Sequence, residues 1–245
     1  MNVKYLVLGV TLALALAFAP AATAQKPKVP PTPVTPPKPP PRPPAPPAPP
    51  AGPSITLDAK PSTIIFSGVT TLSGRVGGPK VGSVGLRLFQ DTTRPYGDSY
   101  QFAGKTATTE PNGKYSFAVK PLVNTSYRVS ASTTPPVGSP ARLVLVRIKV
   151  GIRVSDRTPR RGSLVRFYGS VFPAHDGRTV SIQRRTRSGS FRTVIRTRLR
   201  DAGTTKSTYS RRLRIYRDGV YRVKVAGDGD HANGFSRLKS IDVHG

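Results

Sequence analysis

Arginine is the residue whose type and spacing could do chemistry in this chain. Arg196, Arg198 and Arg200 alternate with Ile195, Thr197 and Leu199. Arg212 and Arg214 alternate with Leu213 and Ile215, and Arg222 and Lys224 with Tyr221, Val223 and Val225. A period of two places one set on the wet face of a strand and the other on its buried face. Arg196, Arg198 and Arg200 are therefore expected to share one face of a single strand. If these strands are neighbours, their like charges repel across the sheet, and anions would relieve the repulsion. The planar guanidinium fork matches phosphate and carboxylate better than the point charge of lysine does. The candidate site is thus a polyanion-binding set: Arg196, Arg198, Arg200, Arg212, Arg214, Arg222 and Lys224. The competing reading is a solvated outer face with no ligand.

Other chemistries find little support. There is no cysteine, which excludes disulfides, thiol catalysis and Cys-ligated metals. His175, His231 and His244 are the only histidines. The first two fall in predicted loops and the third is penultimate. No H-E-x-x-H or H-x-E pair is present, so neither a metal site nor a cofactor is expected. Glu110, the only glutamate, lies in a turn, and no G-x-S-x-G elbow exists. Asp228-Gly229-Asp230-His231-Ala232-Asn233-Gly234 resembles a calcium loop only in part. An EF-type loop needs an oxygen ligand at position 5 and Gly at 6, whereas here position 5 is Ala232 and the glycine arrives one residue late. It is read as an acidic turn. Asn124-Thr125-Ser126 is likewise read as a turn rather than a glycosylation site. With no acid, base, nucleophile or metal set, the chain is expected not to be an enzyme.

The formal charge of +28 over 245 residues is unevenly spread. Residues 54–150 carry 12 Lys+Arg against 4 acids, a net of +8, and residues 151–245 carry 22 against 7, a net of +15. Such a charge predicts attraction to polyanions and says nothing about fold. Nucleic acid is a second possible partner, opposed by the export signal described next and by the lack of any RNA-binding motif.

Met1–Ala24 has the form of a secretory signal: Lys4, an apolar run Leu6–Phe18, and an A-x-A site at Ala22-Thr23-Ala24. Thirteen helical residues span roughly 20 Å, short of the ~30 Å hydrocarbon core. The mature chain is expected to begin at Gln25, secreted and outside the cytoplasm; only an uncleaved signal would tie it to a membrane. Gln25–Pro53 holds 16 prolines, which removes the donors a helix or ladder needs. It is expected to be a polyproline-II stalk.

From Ser54 onward, Val, Ile, Leu, Thr, Tyr and Gly with turn signals roughly every 8–12 residues predict an all-β sandwich. Seven strands are expected in each of two halves, residues 54–150 and 151–245. The halves align. Val69–Val76 sits over Leu164–Val171 without a gap, Tyr115 over Tyr209, and Tyr127 over Tyr221. Between them, in Val144–Val154, every even position is β-branched and apolar, so the last strand of one half is expected to run into the first of the next. Tyr127 and Tyr221 open a late strand after a turn, the setting of the tyrosine corner of Greek-key sandwiches.

Pro61, Gly68-Val69-Thr70-Thr71-Leu72-Ser73-Gly74, Pro111-Asn112-Gly113-Lys114-Tyr115-Ser116-Phe117 and Tyr127-Arg128-Val129 resemble bacterial Ig-like and carboxypeptidase-regulatory-like repeats. Val154–Pro159 and Gly227–Ala232 are similar to Arg-rich repeats of secreted actinobacterial proteins. The resemblance implies tandem Ig-like Greek-key sandwiches that are wall-associated or adhesive, and it brings no catalytic residues. The ligand class it leaves is an anionic envelope polymer.

Overall fold

The computed structural model describes residues 52–245, and every regular element in that span is a strand. The expectations for the signal sequence and for the proline run up to residue 51 lie outside the described residues.

The first sandwich comprises β1 (Ser54–Ile55), β2 (Asp58–Lys60), β3 (Thr63–Ile65), β4 (Thr70–Gly77), β5 (Gly85–Asp91), β6 (Gln101–Thr108), β7 (Lys114–Val119), β8 (Thr125–Ala131), β9 (Val137–Gly138) and β10 (Arg142–Arg147). One sheet sets β1 and β2 along β4, which also pairs with β7; the other runs β3-β10-β8-β5-β6, with β9 on β8. The second sandwich comprises β11 (Lys149–Val150), β12 (Arg153–Val154), β13 (Ser163–Phe172), β14 (Thr179–Arg185), β15 (Phe191–Arg198), β16 (Arg200–Asp201), β17 (Ser207–Ile215), β18 (Gly219–Val225), β19 (Gly234–Phe235) and β20 (Lys239–Ile241). Here β11 and β12 line β13, which pairs with β17 and through it β16; β15-β14-β18 form the facing sheet, with β19 and β20 on β18. Both halves therefore split consecutive strands between two sheets, antiparallel apart from β3 on β10, in the same order. That is the Greek-key arrangement of Ig-like sandwiches.

The period-two pattern explains the packing. Leu72, Val76, Leu86, Leu88, Val129, Val144 and Val146 are among the residues that fill the first core, and Val165, Phe167, Val171, Ile182, Val223 and Ile241 among those of the second. Sequence reading missed β3, because three residues are too few to show a period. Its pairing with β10 is parallel, Ile64 opposite Val146, and this short strand completes the edge of the larger sheet.

The joint follows the alternation. Val144 and Val146 belong to the first core, whereas Ile148, Val150 and Ile152 belong to the second. The crossing falls at Arg147–Ile148. Lys149 pairs with Phe172 and Arg153 with Tyr168, and the Gly151 N–H donates to Ser170 O at 2.8 Å. Across the same seam the Asn124 N–H donates to Asp230 O at 2.7 Å, the Ile148 N–H to Ala232 O at 3.2 Å and the Ala232 N–H to Val146 O at 2.8 Å. A protease needs local opening of the backbone it cuts. Trypsin is therefore expected to cut first in the exposed turn holding Arg157 and Arg161, well before Lys149 or Arg153. Mass spectra of a digestion time course check this, and early release of two halves by cuts at Lys149 or Arg153 would contradict it.

The aligned tyrosines are structural. Tyr115, Tyr127, Tyr209 and Tyr221 are all buried. The hydroxyl bonds to backbone lie elsewhere than the tyrosine-corner expectation placed them, on Tyr115 and Tyr209. Tyr209 Oη donates to Gly151 O at 2.7 Å, and Tyr115 Oη donates to Thr56 O at the matching place in the first sandwich. Gly74 and Gly169 face these same carbonyls so closely that a Cβ would collide with them, which accounts for the aligned Gly-Tyr pairs.

Burial pushes the Tyr127 phenol up to about 12, with its hydrogen bond to the Thr125 side chain opposing part of the rise, and burial raises Tyr209 and Tyr221 as well. A folded-state value above the unfolded value of about 10 stabilises the fold below pH ~10 and loses that stability as pH climbs through 12. The unfolding free energy from denaturant titration is expected to fall over pH 10–12, by at most about 1.4 kcal/mol per pH unit for each such tyrosine. Tyr127→Phe should flatten the slope, since that ring keeps its packing and loses its titration along with the contact to Thr125. An unchanged slope in this variant would contradict the assignment.

Candidate functional site

The seven basic residues picked out by alternation fall on two faces of the second sandwich. Arg196 and Arg198 of β15, with Arg222 and Lys224 of β18, lie on the outer face of the β15-β14-β18 sheet, where Ser181 of β14 stands between Arg196 and Lys224. Arg212 and Arg214 of β17 lie on the outer face of the opposite sheet. Arg200 joins them, because β16 pairs with β17, Arg200 opposite Thr208. The expectation that Arg196, Arg198 and Arg200 share a face is thus corrected. The chain changes sheets at Leu199, whose side chain is buried and whose N–H donates to Arg178 O at 2.8 Å.

Both faces carry exposed cations, Arg196 and Arg198 among them on the first. On the β15-β14-β18 face, Arg222 is already engaged. Its guanidinium stacks 3.8 Å from the Phe191 ring centroid and 4.5 Å from that of Phe235, and its Nε donates to Gln183 Oε1 at 2.9 Å. Burial lowers its pKa, a sign that solvent is partly excluded. Lys224 is half-buried with its ammonium 5.9 Å from the Phe235 ring.

On the β11-β13-β17 face the basic side chains are exposed. Arg200, Arg212 and Arg214 are accompanied there by Lys149, Arg153 and Arg166, all six exposed. Arg166 and Arg212 are direct cross-strand partners, and Arg214 sits opposite Leu164. None of the six forms an ion pair; in the second sandwich the ion pairs among the described residues all run to Asp228. An open groove of about 770 Å³ runs along this face, lined by Lys149, Arg153, Arg166, Tyr168, Phe172 and Arg200 among others. Arg166 lies over Tyr168 at 4.6 Å and Lys149 over Phe172 at 5.7 Å. Lys149, Arg153 and Arg166 were legible as outward positions of alternating strands, yet only the fold places them beside Arg200 and Arg212.

A second cluster lies at the seam. His175, Asp228 and His231 converge, with ligating atoms all within 4.8 Å of one another. The acidic-turn reading of Asp228–Gly234 holds locally, since Asp228 Oδ1 accepts the N–H groups of Asp230 at 2.9 Å and His231 at 2.7 Å. Burial raises the Asp228 carboxyl, and the N–H groups of His231 and Asp230 act against it, so that its pKa lies below the usual value. Sequence reading missed the meeting with His175, which is 53 residues away on another loop.

No protein-family model and no curated protein matches the chain. Among solved structures it is similar to a marsupial T cell receptor, at 10% identity and a TM-score of 0.33, over 78% of this chain and 73% of that one. The Ig-like assignment rests on strand order: two consecutive Greek-key sandwiches whose aligned tyrosine–carbonyl bonds mark them as repeats of one design.

Proposed function

We propose that the chain is a secreted, non-enzymatic module, envelope-associated or adhesive, that holds anionic polymers on the outer face of its β11-β13-β17 sheet. The observation that carries this is the row of six exposed cations there, Arg166 directly opposite Arg212, with no acidic partner for any of them among the described residues. Like charges across a ladder destabilise it, so an approaching polyanion gains contact energy and relieves strain together. Guanidinium forks suit phosphate- and uronate-bearing wall glycans. Such a role agrees with the export signal and proline stalk expected from the sequence, and with its resemblance to Arg-rich repeats of secreted actinobacterial proteins.

Extracellular nucleic acid is a second reading, favoured by Tyr168 and Phe172 in the same groove, since aromatic faces beside cations serve base stacking. Titration of the full chain against a polyglycerol phosphate, a polyuronate, duplex DNA and neutral dextran separates these. Binding to the first two and none to dextran is expected. A preference for DNA would favour the second reading, and equal binding to dextran would overturn both.

A further inference from the structure

We propose that His175, Asp228 and His231 form a binding site for a divalent transition-metal cation of the zinc class, which stiffens the loop clamping the two sandwiches together. The hydrogen bonding of the two imidazoles carries it. His175 Nδ1 lies 2.8 Å from Pro173 O, and His231 Nε2 lies 3.0 Å from Leu122 O. A carbonyl only accepts, so both of these nitrogens carry the hydrogen. The other nitrogen of a neutral imidazole is then a lone pair. Those lone pairs, His175 Nε2 and His231 Nδ1, both point at the Asp228 carboxylate, at 2.9 Å and 3.3 Å.

With one hydrogen on each ring, both lone pairs and the carboxylate converge on a common point, the three ligating atoms within 4.8 Å of one another. Arg178, 4.0 Å from Asp228 Oδ2, donates to the carbonyls of Ala226 and Gly227 and to neither imidazole. A metal cation uses the same three lone-pair donors with no added proton. Two imidazoles and a carboxylate are a borderline-soft set of the kind that binds Zn²⁺.

The surroundings match what holds metal ligands in place. Each histidine gives its one ring N–H to a backbone carbonyl, the arrangement that fixes tautomer and ring orientation in metal sites. Two backbone N–H groups hold Asp228, and the His175 N–H donates to Ser207 Oγ at 2.6 Å. The His175 and His231 side chains are 5% and 8% exposed, with Asp228 at 22% as the entry from solvent. Tetrahedral bonds of 2.0–2.1 Å put ligand atoms roughly 3.4 Å apart, and the three ligating atoms here lie within 4.8 Å of one another.

The site bears on the seam because its loop is the clasp. Leu122, which accepts from His231, belongs to the first sandwich, as do Tyr96 and Asn124. The Tyr96 hydroxyl donates to Gly229 O at 2.9 Å, and the Asn124 N–H to Asp230 O at 2.7 Å.

The test uses the full chain stripped with a chelator and titrated with Zn²⁺ by calorimetry, and with Co²⁺ by visible absorption. A single equivalent of Zn²⁺, a low-symmetry Co²⁺ spectrum, and slower hydrogen exchange at the Asn124 and Ala232 amides on metal addition are expected. H175Q, D228N and H231Q should each weaken Zn²⁺ more than about 100-fold, beyond the 10- to 100-fold cost of losing a supporting group. H244Q should leave binding unchanged. If a variant fails to fold, the Co²⁺ spectrum and exchange response of the parent chain still decide. Parent protein that takes up no stoichiometric metal, or metal that is lost in H244Q and kept in D228N, overturns the site.

Discussion

Leu199→Asp is expected to unfold the second sandwich and leave the first folded. Leu199 is 3% exposed and packs in the second core at the point where the chain leaves one sheet for the other. Deleting a buried leucine side chain costs about 2–5 kcal/mol. An unpaired carboxylate there adds desolvation of several kcal/mol more, against the ~5–15 kcal/mol total of an ordinary small fold. The first sandwich has its own core of separate residues, so its amides should stay protected from exchange while those around Tyr209 and Tyr221 lose protection. The neighbours on either side make the control. Arg198→Gln and Arg200→Gln remove exposed groups and should shift stability by no more than about 0.5 kcal/mol. A folded second sandwich in Leu199→Asp would mean the sheet change is misplaced.

The second large effect is on binding as ionic strength rises. Exposed charges are screened over about 8 Å at physiological salt, and all six cations of the β11-β13-β17 face are exposed. For duplex DNA each phosphate contact contributes about −0.9 to the log–log slope. Six contacts would give a slope near −5, a loss of roughly 10³-fold between 50 and 200 mM salt. Wall polyphosphates and polyuronates should weaken in the same direction. Affinity that is flat over this range would place binding on apolar or neutral polar contacts instead.

Much of the fold was legible because strands advertise themselves by alternation. Val144 to Val154 kept its period through the joint, and burial at Val144, Val146, Ile148, Val150 and Ile152 follows it residue by residue. The repeat was legible because Gly74 with Tyr115, and Gly169 with Tyr209, serve one geometric need twice.

The site was only half legible for the same reason. Alternation tells which way Arg196, Arg198 and Arg200 point relative to their own strand, and it continues unbroken through Leu199 although the strand changes sheets there. Nothing local marks that change, because both sheets bury the same face toward one core. The His175–Asp228–His231 cluster was hidden by distance along the chain: no short motif joins the loop after β13 to the loop after β18.

The central claim is that anionic polymer is held by the β11-β13-β17 face, and the most direct measurement compares two sets of substitutions. One chain carries Gln at Arg153, Arg166, Arg200, Arg212 and Arg214; the other carries Gln at Arg196, Arg198, Arg222 and Lys224. Both are titrated with polyglycerol phosphate at low salt, after circular dichroism shows a parent-like fold. The first is expected to lose most of its affinity and nearly all of its salt dependence, and the second to keep most of both. Parent-like affinity in the first chain would contradict the assignment and leave those arginines a solvated surface.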